Sequence, residues 1–312
     1  MEKILHTVHV SVLLSEVLDA LLLKPGMTVV DATLGGGGYT EALLRRVLPG
    51  GRVIAFDWDV VAHTRFREYA HSDPLLTQAL ADGSLILVEE SFSQLERELD
   101  ARMIPHVDAI VADLGLSSDQ LADPAYGLSF LADGPLDMRL NSKEKVKAAD
   151  LLREWSEEQL TELFEIYGDE PEAKRVAKAI IAERTKQPIV RTTELAAIVK
   201  HSVSKRRAWG KIHPATQVFQ ALRIAVNGEQ RALEVFLPQA IGCLKSGGRV
   251  VVVSFHSGED RVVKHFFQGQ SKKNLEDPVI TLITKKPIEA TVEEIRKNPR
   301  ARSAKLRVAE KC

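Results

Sequence analysis

The feature that most constrains the fold is a repeated pairing of short apolar segments with amphipathic helical patterns. Four apolar segments of strand length occur before residue 114, at residues 28–32, 52–57, 85–88 and 107–113. Helical periodicity lies between them, near residues 39–48, 59–70 and 93–101. Parallel strands need crossover connections of this kind. The alternation therefore predicts a parallel sheet joined by helices.

The alternation stops after the fourth segment. Residues 119–141 are polar and marked by glycine and proline. Helical patterns without a strand candidate follow, at residues 144–154, 156–167, 171–184 and 192–203. This stretch predicts an inserted, all-helical subdomain.

Strand-like sequence returns at residues 248–255, after helical patterns at 214–227 and 229–245. Residues 278–284 and 303–308 predict a closing antiparallel pair, because the helix between them is too short for a parallel crossover. We therefore predict an α/β, Rossmann-like core with a mostly parallel seven-stranded sheet. The predicted bounds are 1–116 and 213–312 for the core and 117–212 for the insert.

A run of four glycines follows the first predicted strand, in VVDATLGGGGYTEALL at residues 29–44. Glycine lets a backbone approach a cofactor closely, with or without phosphate. The dinucleotide fingerprint GxGxxG, read from Gly35, meets Thr40 where its third glycine belongs. An NAD site is therefore disfavoured.

Acidic residues end three of the predicted strands, at Asp31, Asp57 and Asp113. Carboxylates gathered at one sheet edge repel a pyrophosphate but suit a ligand with sulfonium and ammonium groups. S-adenosylmethionine has that charge. Asp57 is expected to bind its ribose hydroxyls. The alternative is that the glycines form a tight turn and the acids cap helices.

Composition excludes several other classes of protein. The formal net charge of −1 disfavours binding of nucleic acid through the whole surface. No apolar run approaches the roughly 18 residues of a membrane span, and the N-terminus lacks a signal-peptide core, so we expect a cytoplasmic protein. Cys243 and Cys312 show no ligand spacing, and His6 and His9 lack a third ligand nearby, so no metal site is expected.

The segment DLGLSSDQL at residues 113–121 follows the fourth strand. An exocyclic base amine has its lone pair delocalised into the ring, so acceptors must hold its hydrogens while the lone pair turns to the methyl carbon. Asp113, Ser117, Ser118 or a backbone carbonyl are candidates for this role. No strong general base is needed before transfer, because the amine loses its proton easily once it is cationic.

Two further segments are dense in polar groups: DGPLDMRL, with Asp137 and Arg139, and SFHSGEDRVVK, with His256 and Glu259. The second segment directly follows the fifth strand-like segment, and a His, two acids and an Arg at a strand's C-terminal edge indicate a site in this fold class. The alternative for the second segment is a helix N-terminus capped by Ser257. That alternative leaves His256 without a structural role.

Basic residues concentrate in KRRAWGK, residues 205–211, and RKNPRARSAKLR, residues 296–307. Either run is a candidate RNA contact, with Arg206 and Arg207 in the first. The alternative is a solvated surface.

Seven strings together resemble the bacterial small-subunit ribosomal RNA cytosine-N4 methyltransferases of the MraW (RsmH) type. They are HVSVLLSEVLDAL, DATLGGGG, DLGLSSDQL, DGPLDMRL, HPATQVFQALRIAVN, SFHSGEDRVVK and NPRARSAKLRVAEK, in order over nearly the whole chain. The resemblance implies a class I methyltransferase core split by a helical substrate domain. It also implies S-adenosylmethionine as donor and a cytosine in the decoding region of 16S rRNA, in the 30S subunit, as acceptor.

By position, the resemblance assigns a set of cofactor contacts along the strand ends. These are Gly37, Gly38, Tyr39, Asp57, Phe92, Asp113 and Gln120. Substrate contacts are expected at Asp137, Arg139, Arg206, Arg207 and Glu259. Catalytic roles are expected for Asp113, Ser117, Ser118 and His256.

The chain departs from the family pattern at four positions. Tyr39 stands where the family usually has His, Tyr126 and Leu128 replace an Arg and a Phe, and Gly258 replaces a Leu. An imidazole role at residue 39 and one RNA contact near residue 126 are therefore lost, and Gly258 is expected to loosen the loop that holds His256.

Two other functions are compatible with the sequence. One is a methyltransferase acting on a protein or a small metabolite, favoured by the near-neutral charge. The other is a non-catalytic RNA-binding assembly factor that keeps the fold. The sequence leaves open whether the protein forms a homodimer.

Overall fold

The computed structural model describes residues 10–141, 143–271 and 277–312. The chain forms two compact units, the first made of residues 1–118 and 230–312 and the second of residues 119–229. The pair His6 and His9 lies outside the described residues.

The first unit is built on one seven-stranded sheet. Its strands are β1 Thr28–Asp31, β2 Arg52–Phe56, β3 Leu85–Val88, β4 Val107–Asp113, β5 Leu244–Ser254, β6 Ile280–Leu282 and β7 Lys305–Lys311. Their spatial order is β3-β2-β1-β4-β5-β7-β6. The pairs from β3 to β5 are parallel, whereas β7 runs antiparallel to both β5 and β6. The predicted fold class is confirmed.

Fifteen α-helices accompany the strands among the described residues. They are α1 Leu14–Leu21, α2 Gly38–Val47, α3 Val60–Ala70, α4 Pro74–Asp82, α5 Leu95–Ala101, α6 Ser118–Ala122, α7 Ala148–Glu154, α8 Glu157–Ile166, α9 Ala173–Arg184, α10 Thr192–Ser202, α11 Lys205–Ala208, α12 Ala215–Asn227, α13 Glu229–Cys243, α14 Ser257–Gln270 and α15 Val292–Lys297. None of them is long and apolar enough to cross a membrane.

Successive strand residues point to opposite faces of the sheet, and each face has its own apolar core. Val29 and Val111 belong to the core that includes residues of α1, α2 and α3. Val30 and Ile110 belong to the core that includes residues of α5, α13 and α14. Because both faces are covered, the central strands read as continuous apolar runs rather than as alternating ones.

The second unit is helical. Helix α9 packs against α8 and α10, and α12 packs against α8 and α10. Its buried side chains include Phe164, Val176, Leu195 and Phe219. The second unit therefore extends to residue 229 and includes α12, whereas the sequence placed the end of the insert at 212.

Candidate functional site

The glycine loop connects β1 to α2 at the C-terminal edge of the sheet. The Leu34 amide donates to the Phe56 carbonyl at 2.7 Å, which attaches the loop to β2. Gly37 has φ +82°, and a Cβ there would lie 2.2 Å from Phe66 Cδ2. A Cβ on Gly38 would lie 2.3 Å from Ser11 Oγ. Contacts within the protein alone therefore favour glycine at 37, apart from any cofactor, whereas the Ser11 hydroxyl can rotate away from a side chain at 38.

Asp31 ends β1 and is fully buried. Its carboxylate accepts hydrogen bonds from Thr40 Oγ1 at 2.6 Å and from the Thr33 amide at 3.1 Å. Burial raises its pKa to about 7, although the hydrogen bonds from Thr40 and Thr33 oppose that rise. Asp31 therefore binds Thr33 and Thr40, which lie on either side of the glycines, and its side chain has no surface exposed to a ligand.

Asp57 follows β2 and is half-buried. Its Oδ2 accepts from the Gly35 amide and its Oδ1 from the Asp59 amide, both at 2.9 Å. Burial raises its pKa to about 6 against these bonds. Each carboxylate oxygen keeps a second lone pair, so the group can still accept hydrogen bonds from a diol.

His63, on α3, was given no role by the sequence, yet it supports Asp57. The buried imidazole Nε2 lies 2.9 Å from the Asp57 carbonyl oxygen, and burial lowers the pKa of His63. Among the described residues, its Nδ1 is a buried atom with no hydrogen-bond partner. No local pattern in the sequence connects residues 57 and 63.

Asp113 ends β4, the strand beside β1. Its amide donates to Thr33 Oγ1 at 2.8 Å. Its Oδ1 is buried with no hydrogen-bond partner in the part of the chain that the structure describes. Burial, and then repulsion by Asp31, raise the pKa of Asp113 well above its ordinary value, while the charge of Arg300 opposes the rise. A buried acceptor with no partner is expected where a ligand supplies the missing donor.

Arg300 is a second residue that the sequence did not single out, although it lies within the C-terminal basic run. Its Nη1 donates to Ser118 Oγ at 2.8 Å, and its Nη2 donates to the Leu116 carbonyl. Ser117, between these contacts, is buried. Arg300 thus fixes the loop that follows Asp113 and brings a positive charge to it.

Phe92 and Tyr39 lie on opposite faces of the sheet. Phe92 packs edge-on against Phe236, with ring centroids 5.1 Å apart, and joins the core around α13 as a partly buried residue. Tyr39 is buried in the other core, and its hydroxyl donates to the Val12 carbonyl. Because the Tyr39 side chain is buried and its hydroxyl is already hydrogen-bonded, only the Tyr39 backbone is available to a ligand.

His256 is the N-cap of α14, which corrects the interpretation that Ser257 caps the helix and that His256 has no structural role. The Glu259 amide donates to His256 Nδ1 at 3.3 Å, and Glu259 Oε2 accepts from the Phe255 amide at 2.8 Å. His256 Nε2 lies 3.2 Å from Glu259 Oε1 and, among the described residues, is a buried atom with no hydrogen-bond partner. A Cβ on Gly258 would lie 3.1 Å from the His256 ring, so glycine leaves room for this cap.

The remaining predicted residues belong to the second unit. Gln120 is buried on α6. Arg139 forms two hydrogen bonds with the Asp137 carboxylate, at 2.6 and 2.9 Å, and Lys147 Nζ lies 3.3 Å from it. Burial raises the pKa of Asp137, but the bonds from Arg139 and Lys147 outweigh it and leave the pKa below its ordinary value. The ion pair between Asp137 and Arg139 therefore stabilises the loop that contains both residues.

Arg206 and Arg207, both predicted to bind RNA, differ in environment. Arg206 is exposed on α11. Arg207 Nη2 donates to the fully buried Glu170 carboxylate at 2.7 Å, and Nη1 donates to the Ile212 carbonyl at 2.9 Å. Arg207 is therefore a structural side chain in this unit, and Arg206 carries the available charge.

Comparison with known proteins identifies close relatives over the full chain. The model of the MraW methylase family matches residues 6–312. A protein of Thermomicrobium roseum named ribosomal RNA small subunit methyltransferase H is 45% identical, over 100% of this chain and 96% of its own length. One of the same name from Desulfotalea psychrophila is 43% identical, over 97% and 98%. A crystal structure from Clostridium thermocellum aligns over 97% and 99%, at 17% identity and a TM-score of 0.48, too low to add weight.

Gly37→Ala tests the contact with Phe66, and Gly83→Ala is the matched control. Gly83 has φ +79°, but nothing lies within 4 Å of an added Cβ. Both variants carry the left-handed penalty of roughly 1–2 kcal/mol. We expect Gly37→Ala to lose about 1–3 kcal/mol more in the free energy of unfolding by urea, because the Phe66 ring must move. Equal losses would contradict the contact.

Asp31→Asn tests the buried acid at the end of β1. The pKa of Asp31 in the folded protein is about 7, well above the ordinary aspartate pKa of about 4. Stability from this group is therefore present below about pH 4 and lost as the pH rises through about 7. In the parent protein, we expect the free energy of unfolding, measured with urea, to fall over that pH window by an amount on the order of a few kcal/mol. The fall should be smaller in Asp31→Asn, because Asn does not titrate.

Asp57 also contributes to the decrease in the free energy of unfolding, both in the parent protein and in Asp31→Asn, because its pKa is raised to about 6. Asp82→Asn is the control, because the pKa of exposed Asp82 is lowered by hydrogen bonds with Ser84. It should keep the parental fall over this window. The same fall in Asp31→Asn as in the parent would refute a raised pKa for Asp31.

Arg300→Ala tests the support of the loop after β4. We expect a loss of about 1–3 kcal/mol in the free energy of unfolding, since the Leu116 carbonyl loses a charged donor. Amide hydrogen exchange at residues 114–118 should become faster. Arg302→Ala is the control, because Arg302 is exposed on the same turn. If both variants exchange like the parent, Arg300 does not hold the loop.

Proposed function

This chain belongs to the MraW methylase family, and we propose from that membership that it methylates the N4 amine of a cytosine in the decoding region of small-subunit 16S ribosomal RNA, with S-adenosylmethionine as donor. The names of relatives at 43–45% identity over nearly their full length support ribosomal RNA as the substrate. A substrate in the 30S subunit agrees with the cytoplasmic location expected from the sequence.

The observation that carries the choice of donor is the gathering of three strand-end acids at one edge of the sheet, where Thr33 connects Asp31 to Asp113 and the Gly35 amide binds Asp57. Burial raises the pKa of all three. After burial, mutual repulsion contributes to the shift at Asp31 and at Asp113. A cationic ligand at this edge favours the ionised carboxylates and relieves the repulsion, whereas a pyrophosphate would increase it. S-adenosylmethionine supplies an electrophilic methyl carbon on a sulfonium of the required charge.

The protein's own groups suit the binding of that donor. The Asp57 carboxylate is already oriented by the Gly35 and Asp59 amides, so its remaining lone pairs can accept from ribose hydroxyls. The backbone amides of Gly38 and Tyr39, where α2 begins, suit the donor's carboxylate. The Gly37 amide already donates to the Leu34 carbonyl at 2.7 Å, so a contact at Gly37 is proposed by the family resemblance alone. We assign Phe92 to the adenine and Gln120 to the donor by the family resemblance alone.

Asp113 is proposed as the group that orients the acceptor amine. Its unpartnered Oδ1 can accept one N–H of the cytosine amine, which turns the nitrogen lone pair out of conjugation toward the methyl carbon. Ser117 and Ser118 are proposed to help as acceptors for the second N–H of the amine; the Ser118 oxygen accepts from Arg300 at 2.8 Å and has two lone pairs. The amine becomes cationic after transfer and then loses a proton readily, so Asp113 need not be a strong base.

His256 and Glu259 form the cap of α14, and we propose that their role is to position the loop after β5. A direct contact with the reacting groups is not required by this geometry. For the second unit, we propose that Arg206 contacts RNA and that Asp137, Arg139 and Arg207 shape the surface around it, since all three are bound to neighbouring protein groups.

Asp113→Asn tests the proposed function in a deletion strain that carries only the variant gene. We expect N4-methylcytidine in digested 16S rRNA, measured by mass spectrometry, to fall by on the order of 10²-fold or more, because the neutral Asn amide is a weaker acceptor than a carboxylate and its NH2 group repels an amine N–H. Asp108→Asn is the control, at the opposite end of β4, where Asp108 pairs with Lys245 at 2.7 Å. It should restore the modification.

Two outcomes would contradict the proposal in different ways. Normal N4-methylcytidine with Asp113→Asn would remove the role of Asp113. Normal N4-methylcytidine in the deletion strain itself would remove the proposed reaction, and labelling of protein or metabolites instead of 30S subunits by the purified protein would indicate another acceptor.

A further inference from the structure

A group of basic residues around one exposed tryptophan in the second unit is not explained by packing. We call it the basic platform: Lys200 at the end of α10, Lys205 and Arg206 on α11, and Trp209 and Lys211 just after α11. Trp209 is 79% exposed, which is unusual for the largest apolar side chain. Lys200 Nζ lies 4.8 Å from the centre of its ring. The fold therefore presents the indole to solvent beside a cation.

The cations of the basic platform are available to a ligand. Within the described residues, no carboxylate lies at ion-pair distance from Lys200, Lys205, Arg206 or Lys211, whereas Arg207 is paired with Glu170. The nearby Glu172 carboxylate accepts from the Ser204 amide at 2.9 Å and from Arg175 at 2.8 Å. The local charge is thus positive and uncompensated.

An open cavity of about 640 Å³ adjoins these residues. It is lined by Pro171, Glu172, Arg206, Arg207, Gly210, Lys211 and Ile212. Arg206 and Lys211 belong both to this lining and to the basic platform, and Gly210 directly follows Trp209 in the chain. The volume is in the range of pockets that hold a group of nucleotide size.

We propose that the basic platform binds single-stranded RNA, with an unpaired nucleobase stacked on Trp209 and phosphates held by Arg206 and Lys211. This inference rests on the proposed function for RNA as the class of partner. An exposed aromatic ring suits an unpaired base, because the bases of a duplex are already stacked and their faces are covered. Cations without protein partners suit the phosphates. A protein partner would have to supply acidic groups in place of phosphates.

Trp209→Ala and Trp209→Phe test the stacking, with a short single-stranded oligouridylate and an RNA duplex of the same length as probes. We expect Trp209→Ala to weaken binding of the single strand about tenfold, from the range measured for base–aromatic stacking, and to leave duplex binding nearly unchanged. Trp209→Phe should recover most of the affinity. Leu131→Ala is the control, since Leu131 is a 91% exposed apolar residue of the same unit outside the platform.

Fluorescence gives an independent readout of the same contact. The chain has three tryptophans, and Trp58 and Trp155 are less exposed than Trp209. The oligouridylate should quench the emission of the parent protein, and Trp209→Phe should lose most of that quenching while it still binds.

Arg206→Ala tests the phosphate contact. It should weaken binding of the single strand and lower the slope of log Kd against log salt concentration by about one. Lys186→Ala is the control, because exposed Lys186 in the same unit is paired with Glu183 at 3.0 Å. Circular dichroism of every variant separates these effects from loss of the fold.

The inference is overturned if folded Trp209→Ala binds the oligouridylate like the parent, or if it loses single-strand and duplex binding equally. Loss of binding only to protein-containing 30S subunits would indicate a ribosomal protein as the partner instead. Oligouridylate binding needs no methyl transfer, so failure of the proposed reaction in the deletion strain leaves this result intact, and the reverse also holds.

Discussion

The rest of the site depends on the cost of keeping acidic side chains together at one edge of a sheet. Asp31 and Asp113 end neighbouring strands, and Thr33 connects them, since its amide donates to Asp31 and its hydroxyl accepts from the Asp113 amide. Asp57 is held to the same loop through the Gly35 amide. Packing on both faces of the sheet fixes the strand ends, so the acids cannot separate to relieve their repulsion. Such an arrangement is tolerated where a ligand of opposite charge belongs.

The last two strands have a structural consequence for this edge. Because β7 runs antiparallel to β5, the chain must approach it from the same edge at which β4 and β5 end. The turn before β7, residues 299–303, therefore lies at the acidic edge and brings Arg300 to the loop after Asp113. Arg307, on β7 itself, forms two hydrogen bonds with Asp260 on α14. The turn before β7 and β7 itself thus contribute one cation each, Arg300 and Arg307, to neighbouring segments of the first unit.

Much of this could be predicted from the sequence because strand and helix periodicities are local. The strands, their order of appearance and the acids at their ends were visible in apolar runs that end in aspartate, and the family assigned from the seven strings is confirmed. Helix α4 was not predicted, although its N-cap Asp73 and its first residue Pro74 form a helix-start signal. The cap of α14 was misplaced by one residue because His and Ser can both accept from an N3 amide, and only the backbone angles select between them. Helix α12 was predicted, but a local pattern does not show that it packs against α8 and α10. The sequence analysis therefore assigned this helix to the core.

The two basic runs show where sequence information ends. Both look alike as strings, yet Arg207, Arg300 and Arg307 are bound to protein groups, whereas exposed Arg206 has no such partner in the part of the chain that the structure describes. The partners that decide this, such as Glu170 for Arg207, lie tens to hundreds of residues away in the chain. A cation can serve RNA binding only if no nearby carboxylate or carbonyl already satisfies it. The number of cations in a run therefore overstates the charge offered to a ligand, and the exposed indole of Trp209 among the unpaired ones is what distinguishes the first run from an ordinary solvated surface.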